Sequence, residues 1–598
     1  MDMKNILLLL AFSLGLICIQ APLLHAQDGS ALPSDKEAEA KKVHFNGLGR
    51  TIIQQTELGG AIMDNNPEKV DRVTDGEFLL DLAINATPNE KSEVQAILRL
   101  RNEFGGFFGA GQSIEVRELW ARGIIADIVR YRVGDMDMVM TPFTLFNPDE
   151  EGMVNNPSIF QPQKDLIYYE QFYAEGNQRR LQGAKVDMGL NFSKGLKSAD
   201  VMAFISRIRG ADFFTTPTRF VGGGSVDLLS NTFNDSLGLK ADLGLNLAYT
   251  WDDLTVGEAN SGIRNAVTTI DFDVTILEQS KMGLHLRGEV GRSNLNVLEE
   301  DSISVYKIDD TFLEVGAALE LKPQHLTLSV SYVDVGPDFF SIGAQSKRIG
   351  FDRPKSYFNR VGADNMVRMP GLFDISRDRS MYTFQLSDRL MNYDPRLSNT
   401  SPYGRATPNR QGLRFGLDWK PADERIEASV TGAVLNEIRG QGTNELKSFN
   451  LIRAMANVNF DKMIDWKNKL RLTLGYQYEN TSRSGLEVEK VDLNSNLLEI
   501  GLEAELFANF ELLAGGTFLT SNGRDYIPLI ETFNVVKDFP DPFVSDDTEA
   551  LLGAGLRYNF KKDTYVTFQY QNYSFARKTD PNNDYTLSQV FVLYTMNF

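Results

Sequence analysis

The final stretch of the chain, 587–598, carries an apolar side chain at every second position. Apolar residues lie at 590, 592, 594, 596 and 598, whereas polar residues lie at 589, 595 and 597. Because successive side chains of a β-strand point to opposite faces, this period predicts a strand with one apolar and one mostly polar face. Such a strand constrains the rest of the chain, which must supply matching strands.

The same alternation recurs in pairs of segments joined by short turns. One pair is 78–84 and 94–101, connected by a turn at 87–89, in which apolar side chains alternate with Asp81, Arg99 and Arg101. This pattern is typical of antiparallel hairpins with an apolar outer face and a charged inner face. Further pairs follow at 413–430, 500–514 and 552–570.

The composition favours one undivided barrel. The 598 residues contain no composition shift or Gly/Ser-rich linker, only 42% are hydrophobic, and the mean hydropathy is −0.25. These values argue against a bundle of transmembrane helices, whereas a barrel gives this average because half of each strand faces water. The net charge of −19 argues against a nucleic-acid partner, since phosphate binding requires a basic surface.

The amino-terminal segment predicts secretion. Lys4 precedes an apolar run at 6–19, and the sequence Leu-His-Ala at 24–26 precedes a predicted cleavage before Gln27. We therefore expect a signal peptide at 1–26, a flexible periplasmic lead at 27–42 and the barrel at 43–598, with 43–55 as its first strand. A lipoprotein signal that uses Cys18 is the less favoured alternative. If Cys18 leaves with the signal, the mature protein has no cysteine.

The closing strand, with Tyr594, Met596 and Phe598, resembles the terminal assembly signal of Gram-negative outer-membrane β-barrels. The resemblance implies an all-β fold, a single large antiparallel transmembrane β-barrel in outer-membrane lipid, folded by the barrel assembly machinery. Short turns and the two chain ends predict about 22 strands, within a range of roughly 18 to 24, and 381–386 could add a pair. The predicted short turns lie near 88, 123, 195, 233, 279, 323, 422, 464, 508 and 562.

Two connections are much longer than the others, at 136–178 and 335–411. Loops of this length are uncommon unless they are functional or disordered. A barrel of about 22 strands has a wide lumen that something must fill or narrow. We therefore predict two long inward or extracellular loops, and we favour the inward position.

The most informative internal stretch is 116–147. Arg130 and Arg132 alternate with apolar residues, Arg117 and Glu118 lie on the preceding strand, and Phe143 lies at the start of the first long loop. This stretch is similar to the alginate-export and phosphate-selective type of porin, which implies a channel. One interpretation is a ladder that guides anions, formed by Arg99, Arg101, Arg130 and Arg132. The favoured alternative is that these arginines pair with Glu115, Glu118 and loop carboxylates to fix the loop.

The sequence gives little support for an enzymatic function. After signal cleavage only His44, His285 and His325 remain, and none lies in a recognisable motif with a nucleophile. We expect no enzymatic activity, no cofactor and no metal site. TonB-dependent receptors have a similar size, but they carry a folded plug domain before the barrel, and the segment 27–42 is too short for one.

Two functions follow from this sequence. The leading one is a porin-like channel for passive passage of a small solute, with a lumen narrowed by the long loops. The alternative is a closed structural or assembly barrel that binds a protein partner through those loops. An open path lined by the four arginines would favour the channel. A lumen blocked by buried aromatic residues would favour the partner role, and the candidates are Phe143, Phe146, Phe339 and Phe340.

Overall fold

The computed structural model describes most of the predicted barrel. Residues 1–42, which hold the predicted signal and lead, lie outside the described residues, as do 381–385 of the optional strand pair. The described ranges are 43–65, 67–68, 71–103, 112–147, 154–162, 165, 177–211, 216–254, 261–299, 303–346, 386, 390, 393–527, 541–561 and 563–598.

One antiparallel sheet of 22 strands closes on itself, because β1 pairs with both β2 and β22. The predicted strand number and the predicted first strand are confirmed. The strands are β1 Val43–Gly59, β2 Arg72–Asn89, β3 Ser92–Glu103, β4 Gln112–Ile125, β5 Val129–Met138, β6 Arg179–Asn191, β7 Leu196–Arg209, β8 Thr218–Ser230, β9 Lys240–Asp253, β10 Ser261–Glu278, β11 Met282–Glu299, β12 Ile303–Leu321, β13 Leu326–Val335, β14 Arg410–Trp419, β15 Ile426–Asn436, β16 Ser448–Asn459, β17 Leu470–Arg483, β18 Val491–Phe507, β19 Phe510–Ile527, β20 Asp541–Lys561, β21 Thr564–Arg577 and β22 Tyr585–Asn597.

Helical segments are short within the described residues. The α-helical turns are α1 Ala61–Asp64, α2 Ile342–Gln345 and α3 Phe460–Met463, and the 3₁₀ turns are Lys322–Gln324, Gly404–Ala406 and Pro581–Asn583. In this part of the chain, no helix has both the length and the apolar character needed to cross a bilayer.

Each short turn predicted from the sequence lies at or beside an observed strand connection, with one shift. The turn expected near Gly123 is formed by Ala126 and Asp127, whose φ angles are 53° and 59°. Positive φ at both central residues is the geometry of a type I′ hairpin turn. Gly123 remains inside β4, where an added Cβ would lie 2.6 Å from the carbonyl oxygen of Lys91.

The outer face of the barrel is apolar. On β21 and β22, Phe568, Tyr570, Val590 and Val592 are exposed, while Gln569 and Gln589 on the other face are buried. Exposed apolar residues recur on the same face of the other strands, and Trp466 is exposed beside a short turn. Closure of the sheet lets neighbouring strands satisfy most backbone groups, which permits such a surface to lie in lipid. The protein is a closed 22-stranded β-barrel with an apolar outer face.

The wall has one short ladder, between β4 and β5. β4 and β5 pair only between 120–125 and 129–134. The part of β4 at 112–119 therefore has β3 as its only ladder partner among the described strands. Side chains replace the missing ladder bonds, because the Leu119 N–H donates to Asp135 at 2.6 Å and Arg180 donates to the carbonyl oxygen of Arg117 at 3.5 Å. Ile114, on this part of β4, has 77% of its surface exposed.

Candidate functional site

The described parts of both long loops contact the inner wall of the barrel. The first long loop runs from β5 to β6, and its segment 154–162 crosses to the opposite wall. There the Glu499 carboxylate on β18 accepts the backbone N–H groups of Val154 at 3.1 Å and Asn155 at 2.5 Å. Ser158 donates to Glu503 at 3.2 Å, two inward positions further along the same strand. Carboxylates that accept backbone N–H groups make strong, oriented hydrogen bonds.

The tip of this loop packs into an apolar cluster on β19 to β22. Ile159 and Phe160 are buried with Leu513, Leu551 and Tyr573. Glycines on the wall make room for the tip of the loop, since a Cβ at Gly553 would lie 2.9 Å from the Phe160 ring. The loop is therefore held by both polar and apolar contacts on the far side of the lumen.

The second long loop, from β13 to β14, is held by a buried charge network. Arg396 donates to Asp394 at 2.7 Å, to Asp547 at 2.9 Å and to Glu549 at 2.7 Å, and all these side chains are buried. The N–H of Asn399 in the same loop donates to Glu479 at 2.6 Å. Because unpaired buried charges are costly, this network fixes the position of the loop against β17 and β20.

The two loops also contact each other. The Phe146 N–H donates to the carbonyl oxygen of Gly343 at 3.0 Å. Arg179 at the start of β6 donates to the carbonyl oxygens of Phe146 at 2.9 Å and Gly343 at 2.8 Å, and also to that of Ser346. A Cβ at Gly343 would lie 2.2 Å from the carbonyl oxygen of Thr144, so only glycine fits there. The loops therefore form one connected layer across the lumen.

Phe143 lies within this layer. Its ring stacks on Phe312 of β12 with ring centroids 3.7 Å apart, and Phe339 packs edge-on at 6.2 Å. Phe143, Phe339 and Phe340 are buried, whereas Phe146 is only partly buried. Three of the four aromatic candidates therefore pack against the inner wall beside β10 to β16.

Two of the predicted ladder arginines are paired with partners that the sequence analysis did not choose. Arg99 and Arg117 both contact Asp81 of β2, at 2.7 Å and 2.8 Å, and Arg101 lies 3.7 Å from Glu77. The expected partners were Glu115, Glu118 and loop carboxylates. Asp81 and Glu115 both lie directly opposite Arg99, on β2 and on β4, but Asp81 is buried with Arg99 whereas Glu115 is exposed. These buried pairs are part of the wall.

Arg130 and Arg132 lie closer to the short turns and are more exposed. The Arg130 side chain is 60% exposed and pairs with Asp187 of β6. Arg132 lies 4.6 Å from the centre of the Trp120 ring and 3.5 Å from Glu118, which also pairs with Arg180 at 3.4 Å. The Arg132–Glu118 pair is the contact that the favoured alternative named for this residue. The structure thus divides the predicted ladder into two buried arginines, the partly buried Arg132 and the exposed Arg130.

The sequence analysis missed a set of acidic side chains on the inner face of β7 to β12. We call it the carboxylate row. Its members occupy successive cross-strand positions, with Gly244 between the second and third. The sequence offered only scattered acidic residues on separate strands, and the strand register brings them together. The carboxylate row consists of Asp200, Asp227, Asp271, Glu289 and Glu314.

His285 lies near the short-turn end of the same wall. Its Nδ1 is 3.6 Å from Asp273, and its Nε2 is 3.8 Å from both Glu278 and Glu320. Within the described ranges, no three His, Cys, Asp or Glu side chains form a group that could hold a metal ion. The surroundings of His285 are therefore acidic, without the geometry of a metal centre.

Solved structures of several outer-membrane proteins are similar to this chain. The ferric citrate transporter FecA, unliganded, has a TM-score of 0.49 at 8% identity over 92% of this chain and 78% of that chain. OccAB3 of Acinetobacter baumannii has a TM-score of 0.34 at 9% identity over 93% and 99%. OprD of Pseudomonas aeruginosa has 0.32 at 10% identity over 93% and 94%. Identities and TM-scores this low do not indicate a function, so the function must be argued from the geometry of this chain.

No family profile matches the sequence, and no curated protein matches it either. The similarity to alginate-export and phosphate-selective porins, based on 116–147, therefore stays a prediction. The same holds for the signal peptide and for the lead.

Proposed function

We propose that the protein is a porin-like channel for passive passage of a small solute, with a lumen narrowed by its two long loops. The observation that carries this proposal is the solvated charge on the inner wall of β4 to β11. The side chains of Arg122, Arg130 and Arg287 are 56%, 60% and 54% exposed, although they face the lumen. Charged groups retain such exposure only where water reaches them.

The loop layer supplies the narrowing in this proposal. Glu499 and Arg396 hold the two loops against β17 to β20, while Arg179 holds them together near β6. Bulky side chains of the first loop, such as Phe143, pack against the wall instead of standing free in the lumen. A passage beside this layer would be bounded by charged wall residues on one side and by loop backbone on the other.

Single-channel conductance of the refolded protein in a planar bilayer tests the proposal. We expect steady conductance from the native barrel. Replacing 154–162 by a Gly/Ser segment of equal length should raise the conductance, because the first loop would lose its wall contacts. The control is the same replacement at 484–490, an exposed β17–β18 connection. Absence of conductance from a correctly folded, heat-modifiable barrel would overturn the channel proposal.

A closed barrel that binds a protein partner is the second candidate. The burial of Phe143, Phe339 and Phe340 favours it, as do the buried ion pairs of Arg99 and Arg101. In that case the native barrel would not conduct, and a partner would co-purify from native membranes. Loss of that partner on replacement of exposed loop segments, with no conductance in either protein, would support this candidate over the channel.

Assembly by the barrel assembly machinery belongs to the same proposal. The closing strand pairs with β1, and the N–H and carbonyl groups of Phe598 both bond to Gly47, at 3.1 Å and 3.0 Å. Tyr594, Met596 and Phe598 would supply the recognised pattern. Removal of Phe598 should lower the yield of folded barrel in cells more than the yield of refolding in detergent.

A further inference from the structure

We infer that the channel selects for cations, and that the carboxylate row is the surface along which they pass. The inference rests on the proposed channel function and adds the class of solute. Asp200 lies opposite Asp227, Asp271 lies opposite Glu289, and Glu289 lies opposite Glu314. Neighbouring strands are about 4.8 Å apart, so the acidic side chains follow one another closely around a quarter of the wall.

Like charges directly opposite each other destabilise a sheet unless something offsets them. Within the described part of the chain, Asp200, Asp227, Asp271 and Glu289 have no Lys, Arg or His nitrogen within 4.0 Å. Only Glu314, at the end of the row, has basic neighbours. These are Arg405 of the second loop at 3.6 Å and Arg414 at 4.0 Å.

The hydrogen-bond donors along the row are neutral. Asn246 donates to Asp271 at 2.6 Å, and Ser225 donates to Asp227 at 3.1 Å. Gly244 leaves space for the Asp271 carboxylate, since a Cβ there would lie 2.2 Å from its Oδ2. Neutral donors orient carboxylates without cancelling their charge. The row therefore presents a negative potential to the lumen.

Glu289 is a buried member of the row with one carboxylate oxygen free to accept a cation. Its side chain is almost completely buried, with 7% of the residue surface exposed, and its Oε1 has no hydrogen-bond partner. It lies between Asp271 and Glu314, which are also acidic. A buried carboxylate oxygen without a donor and between two carboxylates keeps its charge only with a positive group nearby, and otherwise takes up a proton.

The row lies immediately below the loop layer. Thr141 of the first loop approaches the Glu289 carboxylate. Two inward positions further along β11, Ser293 accepts the N–H of Phe340 from the second loop at 3.0 Å. A cation passing beside the loops would therefore meet the carboxylates at the proposed narrowing.

The arrangement suits small hydrated cations that exchange freely. The described residues contain no cluster of three carboxylates that could chelate a metal ion. The negative charge is instead spread along a line. Conduction requires binding sites that are weak and multiple, because a tightly held ion would not leave. A row of single carboxylates meets that requirement.

The test is the reversal potential in a KCl gradient across a planar bilayer. The native channel should prefer K⁺ over Cl⁻ by about tenfold, the lower end of what a charged cleft achieves. A triple variant, Asp200→Asn, Asp227→Asn and Asp271→Asn, should reduce the ratio towards one. The matched control removes three carboxylates from short turns, Asp423→Asn, Asp465→Asn and Asp563→Asn, and should keep the native ratio.

The outcomes separate the two proposals. Conductance without cation preference, or with a preference that the triple variant retains, overturns the inference and leaves the channel standing. Absence of conductance overturns both. If the triple variant does not fold, the single variants Asp200→Asn and Asp271→Asn should each lower the ratio, and an unchanged ratio in both overturns the inference.

Discussion

The Glu499 carboxylate on β18 accepts the backbone N–H of Asn155 at 2.5 Å, across the lumen from the strand at which that loop begins. We expect Glu499→Ala to release this part of the first loop, because the N–H groups of Val154 and Asn155 lose their acceptor. The barrel itself should remain folded. Limited proteolysis within 148–165 should become faster, and Glu427→Ala on the inner face of β15 is the control. Equal proteolysis of the two variants would contradict this account of loop anchoring.

Arg396→Met should destabilise the second loop and its wall contacts by about 3 kcal/mol, since Asp394 and Glu549 would remain buried without their cation, whereas Asp547 would keep Arg577. The measurement is denaturant unfolding in detergent, compared with native protein. Adding Glu549→Gln should recover part of the loss, because one of the uncompensated charges is then removed. Additive losses in the double variant would show that the network does not act as a unit.

Gly134→Ala should lower the yield and stability of the folded barrel. Gly134 has a φ of 102°, and a Cβ there would lie 2.2 Å from the carbonyl oxygen of Leu119. A side chain is strained in this conformation whatever space is available. Gly210→Ala is the matched control, because a Cβ at Gly210 meets nothing within 4 Å. Heat-modifiable mobility on gels reports folding, and equal folding of both variants would contradict the prediction.

Arg130→Ala combined with Arg132→Ala should shift ion preference further towards cations, by about threefold. Both arginines face the lumen near the short-turn end, and removal of their charge leaves fewer positive groups to oppose the carboxylate row. Reversal potentials in salt gradients measure the effect. The control is Arg99→Ala, which breaks the buried ion pair with Asp81. This variant should lower the stability of the barrel and leave the reversal potential nearly unchanged. An unchanged reversal potential in the double variant would place the ion path away from these arginines.

The barrel could be predicted from the sequence because its signal is local. Alternation within each segment gives strand identity, and short turns at regular intervals give the strand number, so 22 strands were expected and observed. Even the turn at Ala126 and Asp127 was displaced by only a few residues. Each of these features depends on neighbours in the chain.

The site could be predicted only in part, because it depends on register. Arg99 was recognised as inward-facing, but its partner Asp81 becomes evident only when β2 and β3 are aligned residue by residue. The carboxylate row needs the same alignment across six strands, and an error of two residues in any one of them would disperse it. Loop anchors such as Glu499 and Asn155 are 344 residues apart, beyond any local pattern.

The short ladder between β4 and β5 has a mechanical consequence. Most neighbouring strands of this barrel are joined by backbone ladders, which break only if the strands separate. At 112–119 of β4, the join on the β5 side depends instead on the side chains of Asp135 and Arg180. Side chains can change rotamer while both strands stay in place. Amide exchange should therefore be faster at Leu119 than at Leu98 on the neighbouring ladder, and slower exchange there would contradict this view. This seam is therefore the part of the described wall where rotamer changes alone could loosen the join between neighbouring strands.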